Sequence, residues 1–61
     1  NRFFDFLINN KVVVELKIGG RFLASDIQQV HEYLKIFGLQ LGIIINFGKK
    51  DVKFKRVLNL E

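Results

Sequence analysis

Glu15 and Lys17 stand two residues apart in the run Val12-Val13-Val14-Glu15-Leu16-Lys17-Ile18, an acid and a base set into an otherwise aliphatic segment. In an extended strand, residues two apart point to the same side, so both side chains enter one small volume. A second acid, Asp5, precedes the apolar stretch Phe6-Leu7-Ile8. If Asn9-Asn10-Lys11 forms a three-residue loop, Ile8 faces Val12 and Asp5 faces Glu15; a two-residue Asn9-Asn10 turn puts Asp5 opposite Val14 instead. In the first register two carboxylates oppose each other across a strand pair, which is destabilising unless a cation sits between them. Mg²⁺, or Mn²⁺ in its place, suits such a pair, because it takes oxygen ligands from one or two carboxylates and completes its shell with water and phosphate. Asp5 and Glu15 are therefore candidate metal ligands. Lys17 beside a metal-activated water would lower its pKa, orient it, or neutralise charge developing on a phosphate. The plain alternative is a surface Glu15–Lys17 ion pair worth at most about 1 kcal/mol, and spacing alone does not choose between the two.

The elements that position these residues follow from period and turn chemistry. Arg2 to Ile8 and Val12 to Ile18 are rich in aromatic and branched residues and predict a β-hairpin. The second strand presents Val12, Val14, Leu16 and Ile18 on one face, and Val13, Glu15 and Lys17 on the other. Gly19-Gly20 ends the hairpin. Ser25-Asp26-Ile27-Gln28 fits a capping box, so a helix is expected to begin near Ser25. Ile27, Val30, Leu34 and Phe37 recur at helical spacing, and Gly38 stands where a left-handed cap would end the helix near Phe37. Leu41 to Phe47 reads as a buried strand, and strand, helix, strand in that order makes the two strands parallel. After a basic turn at Gly48-Lys49-Lys50, Val52, Phe54 and Val57-Leu58 predict an edge strand studded with Lys53, Lys55 and Arg56. The fold class expected is α+β: one helix packed on a mixed sheet, in a single domain spanning residues 1–61.

Composition sets the outer limits. With 49% hydrophobic residues in 61, the chain has enough apolar surface to fold rather than stay disordered. A domain this short buries only about 60% of its unfolded surface, and with no Cys no disulfide compensates. The expectation is a piece of a larger domain, or a chain packed on another copy of itself as a homodimer. The longest apolar run, Leu39 to Phe47, is broken by Gln40, Gly42 and Asn46 and falls far short of the roughly 20 residues of a membrane-spanning helix. No membrane partner is expected, and cytoplasmic placement is the default. Ten Lys and Arg against six Asp and Glu give +4, a balance that favours anionic partners such as nucleic acid. Lys49, Lys50, Lys53, Lys55 and Arg56 would hold phosphates, although a lysine-rich edge strand also guards against edge-to-edge aggregation. The seven Phe, from Phe3 to Phe54, are assigned to the core rather than to base stacking. His31 lies on the far side of the helix stripe from Gln29 and Tyr33 and is assigned a structural or surface role.

The segments Arg2-Phe3-Phe4-Asp5-Phe6-Leu7-Ile8 and Val12-Val13-Val14-Glu15-Leu16-Lys17 resemble the signature hairpin of PD-(D/E)XK nucleases. The likeness runs to the small proteins of the GxxExxY family. It continues through Gln29, Tyr33-Leu34-Lys35, Gly42-Ile43-Ile44-Ile45-Asn46-Phe47 and Lys55-Arg56-Val57, nearly the whole chain. The resemblance implies a restriction-endonuclease-like core and a Mg²⁺-dependent hydrolase that cleaves DNA. By it Asp5 and Glu15 are metal ligands, Lys17 is the catalytic lysine, and Gln29 and Tyr33 match the helix motif of the exonuclease-like branch. Read without it, Gln29 is an exposed polar residue and Tyr33 a packing aromatic. The family's preceding helix, which bears the Gly-x-x-Glu-x-x-Tyr motif, and its first strand are not in this sequence, so the helical glutamate they bring toward the metal is absent. The alternatives are a nucleic-acid-binding module without catalysis and a homo-oligomeric structural module.

Overall fold

The computed structural model describes residues 4–60; Phe3 and the expected strand start at Arg2 lie outside the described residues. Strand β1 (Phe6–Ile8) and strand β2 (Val12–Ile18) form the hairpin, helix α1 (Ala24–Phe37) crosses over, and strands β3 (Leu41–Phe47) and β4 (Val52–Leu58) follow. The sheet order is β1-β2-β3-β4. β2 and β3 run parallel and the other two pairs antiparallel. This is the mixed sheet with one helix that alternation and capping signals predict.

Local chemistry accounts for most of the boundaries. Asn9 and Asn10 both take positive φ, 52° and 55°, a conformation Asn tolerates better than most residues. The Lys11 amide closes the turn on the Ile8 carbonyl at 2.9 Å, and Lys11 is the third loop residue, since Ile8 pairs with Val12. β1 is shorter than expected: the Asp5 amide still donates to Val14 O at 3.1 Å, but regular pairing starts at Phe6. At the other end of α1, Gly38 adopts φ 67°, ψ 32°, and Leu39 N–H reaches back to the Leu34 carbonyl at 2.8 Å, the cap its glycine foretold.

The helix start differs from the expected capping box. The N-cap is Leu23, with no side-chain cap bond, and its carbonyl accepts the Asp26 and Ile27 amides at 3.0 and 3.2 Å. Ser25 is already inside the helix and exposed. The approach to the helix is fixed instead from below, by Asn46. Its side chain, 0% exposed, accepts the Gly20 amide at 2.6 Å and donates to the Arg21 carbonyl at 2.5 Å.

Register divides the sheet into two faces. One carries Leu7, Val13, Glu15, Lys17, Gly42, Ile44, Asn46, Lys53, Lys55 and Val57, and α1 packs on it. Val13, Val30, Leu34, Ile44 and Val57 form the core there, each side chain contributing about 1.5–3 kcal/mol through its burial. Gly42 lets the helix settle: a Cβ at that position would lie 2.6 Å from Val30 Cγ1. The other face carries Phe6, Ile8, Val12, Val14, Leu16, Ile18, Leu41, Ile43, Ile45, Phe47, Val52, Phe54 and Leu58, with Arg56 its single charge. No described element covers it, and Ile18 is 89% and Phe54 70% exposed. The assignment of all Phe to the core is thereby corrected: Phe4 and Phe22 pack against the core, whereas Phe6, Phe47 and Phe54 stand on the open face and Phe37 is 45% exposed at the helix end. Among the described residues no helix is long and apolar enough to cross a membrane.

Candidate active site

The pairing Phe6↔Val14, counted one step further, sets Asp5 opposite Glu15, the register that the three-residue loop predicts. Both side chains rise on the helix-covered face, beyond the end of the apolar core marked by Val13. Asp5 Oδ2 accepts the Leu16 amide at 2.7 Å. The carboxylate thus stands in for the strand acceptor missing where β1 ends, and its position is fixed by main chain.

Glu15 is held above its ordinary pKa, first by burial away from water, then by the negative charge of Asp5, and further by a hydrogen bond with Asp5; Lys17 pulls the other way. Burial and a neighbouring carboxylate both make ionisation of Glu15 less favourable. Lys17 Nζ lies 3.6 Å from Glu15 Oε2 and 3.5 Å from Asp26 Oδ1. Its ammonium is bracketed between the strand and the first turn of the helix.

The helix supplies the wall. Tyr33, 8% exposed, meets the ring of Phe4 edge-on at 6.5 Å, and Phe4 meets Phe37 at 5.6 Å. Tyr33 therefore packs against the residue that precedes Asp5. Gln29 is exposed, one turn from both Asp26 and Tyr33 along the same side of α1. His31 is partly exposed and on the opposite side of the helix from Gln29, away from the carboxylates. The basic cluster divides: Lys53 and Lys55 share the face of Glu15 and Lys17, Arg56 points to the open face, and Lys49 and Lys50 occupy the exposed β3–β4 turn.

A family model for the PD-(D/E)XK nuclease superfamily matches residues 1–57. The chain belongs to the PD-(D/E)XK nuclease superfamily. Nucleases of this superfamily generally use divalent metals, and their substrate is nucleic acid. Neither curated proteins nor solved structures give a match.

The residues present fit a divalent cation of the Mg²⁺ type. Among the described residues no group of three or more His, Cys, Asp or Glu comes together, so a closed all-protein cage is not on offer. Two juxtaposed carboxylates, one of them destabilised as an anion by burial and then by the other, suit an ion that keeps several waters. Two neighbours of the site escaped the sequence reading. Asp26 sits in a helix first turn, where an acid is ordinary, and only the fold brings it to Lys17. Asn46, Lys17's partner in the β2–β3 register, was visible as a polar residue inside an apolar strand.

Proposed function

We propose that this chain hydrolyses phosphodiester bonds of DNA with Mg²⁺ or Mn²⁺ as cofactor, in the manner of the GxxExxY branch of its superfamily. The observation that carries this reading is the convergence of Asp5, Glu15 and Lys17 on one face, with the pKa of Glu15 raised by burial and then by the charge of Asp5. Asp5 and Glu15 would hold the ion. When bound, a divalent cation supplies Lewis acidity toward a phosphate oxygen and lowers the pKa of a water molecule. Lys17 places a positive charge beside the same volume and stabilises negative charge developing on the phosphate. Tyr33 walls the Asp5 side and excludes water there, and Gln29 reaches from the exposed helix surface toward bound substrate. Lys53 and Lys55, with Lys49 and Lys50 at the turn, would pair with phosphates along the strand.

The test is a cleavage assay with single- and double-stranded DNA and with RNA, in Mg²⁺ and in chelator, for the wild type and Glu15→Ala. DNA cleavage that needs the ion and is lost in Glu15→Ala is expected. Cleavage indifferent to both changes overturns the reading, and salt-sensitive binding without cleavage gives the chain a binding role only.

The open face favours a second reading that is compatible with the first. A two-fold axis brings one patch against its own copy, and a nearly uncharged apolar sheet face is self-complementary, as packing of one sheet on another requires. A second copy is the occupant the face fits. Sedimentation of the 7.1 kDa chain is expected to give a dimer; a strictly monomeric species removes this reading and leaves the site untouched.

A further inference from the structure

We propose that Asp26 is a positioning residue for Lys17, holding its ammonium between the helix start and Glu15 at the edge of the candidate cation site. This rests on the metal-dependent reading above and adds to it a residue that no strand pattern contains.

An ammonium folded onto two carboxylates competes directly with a cation for their oxygens. Asp26 offers that ammonium a carboxylate outside the Asp5–Glu15 pair, and negative charge near an oxygen site favours a divalent ion. Geometry then decides where the ammonium goes. Lys17 Nζ lies 3.6 Å from Glu15 and 3.5 Å from Asp26, so the ammonium is shared between the strand and the helix start. All three side chains are largely covered, with 29% of Lys17, 14% of Glu15 and 19% of Asp26 exposed, so solvent screening is weaker here than on an open surface.

The position of Asp26 is itself built in. Its amide is bonded to the Leu23 carbonyl, and the Gly20-Arg21 segment leading to Leu23 is clamped by the buried Asn46 amide. Asn46 neighbours Lys17 across β2 and β3. One strand position therefore fixes the loop, the loop fixes the helix start, and the helix start returns a carboxylate to the lysine beside that same strand position. Lys17 has a long flexible stem, and an anchor at its tip removes rotamer freedom before substrate arrives.

The test compares wild type, Asp26→Asn and Asp26→Glu with two readouts and a melting control. In metal-free chain, NMR of the Lys17 side chain reports whether the ammonium is anchored; Mn²⁺ titration of the same samples reports affinity. Asp26→Asn is expected to release Lys17, collapsing the separate signals of its terminal methylene protons. It is also expected to weaken Mn²⁺ binding roughly tenfold to a hundredfold, the usual effect of losing a group that orients a metal site's surroundings. Asp26→Glu should restore both, and an unchanged melting temperature separates these effects from loss of fold. Lys17 signals and Mn²⁺ affinity unmoved in Asp26→Asn overturn the Asp26 assignment alone. Wild type that binds no Mn²⁺ overturns the metal reading on which it rests.

Discussion

The two faces of the sheet are made by the same four strands and differ by one residue of phase. The covered face carries the acids, the lysines and a small core of Val13, Ile44 and Val57, whereas the open face carries thirteen apolar residues and Arg56. A simple burial argument would lay the helix on the more apolar side. The molecule does the reverse, because Gly42 provides the close seat for Val30 and Leu34 on the covered face. What the difference teaches is that hydrophobic pattern alone does not say which face a helix takes. Here the helix sits where it can wall a charged site, and no described element covers the apolar face.

The largest expected effect tests whether the covered face is where stability lies. Leu34, 0% exposed in the core, should lose about 2–5 kcal/mol on change to Ala, read by denaturant unfolding. Ile18, 89% exposed on the open face, should lose no more than about 0.5 kcal/mol in the dissociated chain. A comparable loss at both positions in the dissociated chain would break the contrast, whereas a loss at Ile18 that grows with protein concentration is what the proposed dimer requires.

A smaller effect sharpens the contrast from the side of charge. Glu15 has a native pKa raised above 4.5, so the folded chain binds this proton more tightly than the unfolded chain. The stability contributed is fully present below 4.5 and is lost as pH rises through the raised native value. Glu15→Gln, neutral at every pH, should remove that decline, and Mg²⁺ should stabilise the wild type only where Glu15 is ionised. Melting temperatures from acid to neutral pH, with and without Mg²⁺, check both. An identical pH profile for wild type and variant would show that Asp5 and Glu15 do not interact as the geometry has them.

The parts of this molecule legible in its sequence are those fixed by local rules. Period two put Glu15 and Lys17 on one side, Gly38 marked the helix end, and strand-helix-strand order gave the parallel pair. The hairpin register was legible only as a condition, since Asn9-Asn10-Lys11 closes two ways; left-handed Asn9 and Asn10 with Lys11 as an added residue resolve it. The helix start near Ser25 was legible to within a residue, but its cap was not: Ser25 and Gln28 form a good capping pattern yet lie inside a helix capped by Leu23, with its approach set by Asn46. The superfamily likeness read from the hairpin holds over residues 1–57. The Lys17–Asp26 pair and the helix's choice of face are contacts between distant segments, and no local pattern encodes them.

The central claim is that Asp5, Glu15 and Lys17 form a cation site in this chain, and paramagnetic Mn²⁺ titration followed by backbone NMR tests it most directly. The account predicts line broadening centred on Asp5, Glu15 and Lys17, spreading to Leu16 and Asp26 and abolished by Glu15→Ala. Broadening that is diffuse over the surface, or that persists at the same residues in Glu15→Ala, would contradict it.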